Sequence, residues 1–116
     1  MDMEHVKEAM SQAFSRHLND ETVEVFDEGG RAILNGGNWT LAAHSEGTFK
    51  LDLPANNPNY FDDDLNAFLD NVLSYEAEES FRMLDDALGG AVEQGLRRSR
   101  EPWGEAMANR IAGSRA

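Results

Sequence analysis

The chain has 116 residues, with 10 Lys+Arg against 22 Asp+Glu for a formal net charge of -12, and it contains no cysteine. That length suits one domain, residues 1–116, able to take roughly two thirds of its unfolded surface out of water, and the missing cysteines exclude disulfides, thiolate metal sites and thiol nucleophiles. The acidic excess repels phosphate backbones and anionic lipid headgroups, which argues against direct binding to nucleic acid or a membrane surface.

Asp2, Glu4, Lys7 and Glu8 interrupt the first residues, so these cannot act as the apolar segment of a signal peptide, and a cytoplasmic setting is expected. Met3, Val6, Met10, Ala13, Phe14 and Leu18 recur at steps of three and four and predict an amphipathic helix over residues 3–18, ended by the turn-formers Asn19 and Asp20. The period then changes to two. Alternating runs at residues 22–27, 31–35, 39–44 and 48–53 are separated by Glu28-Gly29-Gly30, Gly36-Gly37-Asn38 and Ser45-Glu46-Gly47, which predict hairpin turns. Trp39, Leu41, Ala43, Phe49, Leu51 and Leu53 share one face of this antiparallel meander; Thr40, His44, Lys50 and Asp52 share the other.

Residues 54–60, with two prolines and three asparagines, predict a surface loop. Asp62 is placed to cap a second helix containing Leu65, Phe68, Leu69, Val72 and Leu73, with Asp63 and Asp64 in its first turn. Phe81, Leu84, Leu88, Ala91 and Leu96 define a further stripe. It is read as one helix running through Gly89-Gly90, although a break there is the alternative, since each glycine costs about 1 kcal/mol in a helix interior. Pro102 suits the first turn of a last helix in which Trp103, Met107 and Ile111 follow at steps of four. The fold class is therefore α+β: an N-terminal helix, a four-stranded antiparallel meander and two to three C-terminal helices.

Charge is unevenly placed, with ten acids and one base in residues 62–96 but two acids and five bases in residues 97–116. Within the acidic stretch Asp63 and Asp70, Glu78 and Asp85, Glu79 and Asp86, and Asp86 and Glu93 stand seven apart, about two helical turns, so that these carboxylates align as a ridge. Helices carry charge on their solvent side as a matter of course. Here, however, only Arg82 interrupts the run, whereas an ordinary solvated helix mixes acids and bases at spacings of four. Each carboxylate is a candidate surrogate for phosphate, accepting hydrogen bonds from Arg or Lys of a partner. The cluster Arg97-Arg98-Ser99-Arg100 either neutralises the ridge or makes a contact of its own. Phe81, Leu84, Leu88 and Ala91 offer a seam for a homodimer.

Catalytic and metal chemistry finds little support. His5 and His17 are twelve apart on one helix, about 120° from each other around its axis, and His44 sits on the polar strand face. Asp62-Asp63-Asp64 lacks the ligand spacing of a calcium loop, no serine sits in a nucleophile elbow, and no glycine pair carries the lysine of a phosphate loop. No enzyme activity, cofactor or metal is expected.

In size, acidity, α+β make-up and absence of catalytic motifs, the chain resembles the small inhibitors encoded by phages and mobile elements, anti-CRISPR proteins among them. The resemblance is one of profile, and it implies a protein that plugs a basic nucleic-acid-binding surface of a CRISPR effector or nuclease, in part by imitating DNA. Residues 3–73 are also similar to the acidic effector chaperones of type III secretion: a helix, the segment Phe26-Asp27-Glu28-Gly29-Gly30-Arg31-Ala32-Ile33-Leu34, a strand over 48–53, Pro54, then Leu65 to Leu73. Those chaperones continue into two further strands, where this sequence turns helical from Glu76. A scaffold homodimer is the third reading.

Overall fold

The computed structural model describes residues 2–15, 23–35, 39–52, 69 and 75–113. Helix α1 (Met3–Ala13) starts where the Asp2 side chain accepts the Glu4 backbone N–H at 3.1 Å, and it buries Met3, Val6, Ala9, Met10 and Ala13. It stops earlier than its periodicity predicts: Phe14 leaves the helix at φ -102°, ψ 11°, yet its ring is fully buried. The predicted continuation over residues 16–18 lies outside the described residues.

Strands β1 (Glu24–Phe26), β2 (Arg31–Asn35), β3 (Thr40–His44) and β4 (Phe49–Asp52) form an antiparallel sheet in the order β1-β2-β3-β4, the expected meander. Register places Leu34 opposite Leu41 and Leu41 opposite Leu51, with Ala32 opposite Ala43 and Ala43 opposite Phe49. All six are fully buried, so the predicted dry face is real and extends into β2. The connection after β1 is a short 3-10 turn, Asp27–Gly29, with Glu28 at φ 55° and Gly29 at φ 90°. The β3–β4 turn is tight, the Gly47 N–H donating to the His44 carbonyl at 2.9 Å and the His44 N–H to Thr48 at 2.8 Å. The predicted turn at residues 36–38, the loop at 54–60 and most of the helix expected from Asp62 to Leu73 lie outside the described residues; Leu69 is helical and fully buried.

Three helices follow: α2 (Tyr75–Ala87), α3 (Ala91–Arg98) and α4 (Pro102–Gly113). The expected continuous helix through Gly89-Gly90 is corrected. Both glycines take positive φ, 64° and 88°, and the chain turns between α2 and α3. A left-handed backbone costs other residues about 1–2 kcal/mol, so the pair acts as a stop rather than a weak point. Pro102 opens α4 as expected, with Met107 and Ile111 fully buried and Trp103 half-buried against the core.

The sheet's dry face is covered from both ends of the sequence. Phe14 and Phe81 meet edge to face at 5.1 Å, and Trp39 lies 5.5 Å from Phe14 and 5.1 Å from Phe81, so α1, α2 and the start of β3 share one aromatic cluster. Among the described residues no helix is long and apolar enough to cross a membrane.

Candidate partner-binding face

Helix α2 turns Ala77, Ser80, Phe81 and Leu84 inward. At 3.6 residues per turn, Glu79 and Asp86 fall opposite that stripe, and both are exposed. Met83, four residues after Glu79 and three before Asp86, is 55% exposed, the most exposed large apolar side chain among the described residues. An apolar side chain flanked by two carboxylates thus stands on the outer face of the helix.

The other predicted ridge positions behave differently. Asp63 and Asp70 lie outside the described residues. Glu78 is only 18% exposed, and its Oε1 pairs with Arg82 Nη2 at 3.0 Å on the same helix and with Arg110 Nε at 3.3 Å on α4. Glu93 pairs with Arg97 one turn on, at 3.3 Å. Asp85 is fully buried, its Oδ1 accepting the Glu93 backbone N–H at 2.8 Å. The single ridge is therefore corrected. Asp85 follows Phe81 by four residues, about 40° around the axis, which places it at the border of the apolar stripe rather than on the outer face. Heptad spacing ranks rows of like charge but not which row the core covers.

Besides Arg82, the one base within the acidic run, Arg97 and Arg110 reach its carboxylates from α3 and α4. Arg97 takes the neutralising role read for the basic cluster. Arg98 does not, since its guanidinium leans on Gly47 of the β3–β4 turn.

The predicted dimer seam points into this chain. Phe81 and Leu84 are fully buried, and Leu88 and Ala91 pack half-buried against the same core. With the stripe covered by α1 and the sheet, only Leu88 and Ala91 of these four keep part of their surface exposed. Two features of the structure escape the sequence reading. Met83 was visible as an apolar residue out of phase with Phe81, Leu84 and Leu88; Arg110, far along the chain, had no local signal.

Among the described residues, no three His, Asp or Glu side chains stand close enough together to hold a metal ion. The chain matches no family model, no curated protein and no solved structure.

Proposed function

We propose that this chain is a non-enzymatic, protein-binding inhibitor that works in the cytoplasm by occupying a basic nucleic-acid-binding surface of a nuclease or CRISPR effector. The observation that carries this reading is the outer face of α2, where Glu79 and Asp86 flank the exposed Met83 on a chain of net charge -12. Carboxylates accept charge-assisted hydrogen bonds from the Arg and Lys that otherwise hold phosphates. The thioether adds what a phosphate row lacks, an adaptable apolar anchor that favours a protein surface over a nucleic acid. The net negative field speeds approach to a basic partner and repels competing polyanions.

A capture experiment from bacterial lysate tests the reading, with the wild-type chain and the double variant Glu79→Lys/Asp86→Lys as baits, washed at low and high salt. The expected result is a basic nuclease or CRISPR component that washes off with salt, is not captured by the variant, and loses nucleic-acid binding when the purified wild-type chain is added. Capture by the variant equal to wild type, or a recovered protein whose nucleic-acid binding is unaffected, overturns the proposal.

A further inference from the structure

Helix α3 lies unusually close to the β3–β4 turn. A Cβ on Gly95 would stand 2.5 Å from Phe49 Cδ2 and 2.7 Å from the Gly47 carbonyl oxygen, so only glycine permits the approach. Beside this contact is a cleft of about 230 Å³ lined by Ser45, Glu46 and Gly47 of the turn and by Ala91, Gln94 and Arg98 on one face of α3. Gly47, at φ 102°, keeps its floor open: a Cβ there would lie 3.1 Å from Arg98 Nη1.

The cleft carries one charge of each sign, Arg98 on α3 and Glu46 on the turn. Arg82, Arg97 and Arg110 are each paired with a carboxylate; the side chain of Arg98, like those of Lys7 and Arg100, pairs with no described residue. Glu46 is in the same position, sharing the cleft with Arg98 without pairing with it or with another described side chain. One unpaired cation and one unpaired anion, held on separate elements, complement a ligand carrying both charges.

We infer that this cleft binds a small free α-amino acid. The ligand carboxylate would take the planar N–H donors of Arg98, and its ammonium group would donate to Glu46. Gln94 supplies a neutral hydrogen-bonding group in the same cleft, and Ala91 an apolar wall. The cleft lies below the roughly 300–1,000 Å³ of sites for larger ligands, which fits an occupant of amino-acid size. A simple anion is disfavoured by the field of a chain at -12, whereas a zwitterion carries no net charge to be repelled.

The test is a titration of the full chain with glycine and with L-serine, followed by backbone amide NMR, with acetate and methylammonium as half-ligand controls. Saturable shifts are expected at residues 45–47 and 91–98, with each half-ligand bound at least about tenfold more weakly, because either leaves one of the two charge contacts unmade. Arg98→Gln and Glu46→Gln, both at exposed positions, should each weaken binding by a similar factor while the rest of the spectrum stays in place. Absence of saturable shifts up to the solubility limit, binding of acetate as tight as that of the amino acids, or full binding by Arg98→Gln would each overturn the inference.

Discussion

The buried carboxylate of Asp85, near the end of α2, accepts the backbone N–H of Glu93, the third residue of α3, at 2.8 Å. A helix leaves its first N–H groups without internal partners, and the residue before it commonly supplies a side-chain oxygen. Here that residue is Gly90, which has none. The preceding helix caps the following one across the Gly89-Gly90 turn, fixing the direction in which α3 leaves α2.

Asp85→Ala should therefore destabilise the protein by about 1–3 kcal/mol, since it strands a partly buried N–H donor. Asp85→Asn keeps an oxygen acceptor in place and should lose less. Urea unfolding of the two variants checks the order; equal losses would mean that the cap contributes little.

Gly95→Ala tests the close approach of α3 to the sheet. On an exposed helix this change is stabilising, because alanine has the higher helix propensity. At Gly95 the new methyl group would meet the backbone nitrogen of Phe49 at 2.9 Å and the Gly47 carbonyl oxygen at 2.7 Å, and backbone cannot rotate away. The expected outcome is a loss of about 1–3 kcal/mol, the usual cost of overpacking, read as a fall in Tm. A rise in Tm would show that α3 can lift off the turn without cost.

Much of the fold was legible because it rests on periodicity. The meander's strands, their dry face and the helix from Pro102 follow from spacings of two and four within short windows, and the register carries that pattern across the sheet. What was not legible depends on contacts between distant segments. Nothing local marks Arg110 as the partner of Glu78, or Gly95 as the residue that must lie against Phe49. Asp85 was misplaced because its carboxylate, counted with Glu78 as one row, is covered by the chain that follows the glycine turn. The outer pair Glu79 and Asp86 was legible, since both lie opposite Phe81 and Leu84 whatever those residues pack against.

Phe81→Ala should cost about 3–5 kcal/mol, the range for removing a fully buried aromatic side chain. Phe81 touches the rings of both Phe14 and Trp39, so its loss should also relax Trp39, visible as a shift in tryptophan emission in the folded state. An unchanged unfolding midpoint would place the core elsewhere.

Met83→Ala and Glu79→Lys/Asp86→Lys separate the apolar from the electrostatic part of the proposed docking face. All three positions are exposed, so stability should change by no more than about 0.5 kcal/mol per substitution in either set. Their effects on a captured partner should differ in kind. Removing the thioether deletes burial that salt does not screen, which predicts weaker binding with the same salt dependence. Reversing the carboxylates removes steering and charge-assisted contacts, which predicts slower association and a flatter response to salt. Binding measured across a salt series distinguishes the two slopes. Should Met83→Ala bind as tightly as wild type while the charge reversal abolishes binding, Met83 is a solvated bystander and the face works by charge alone.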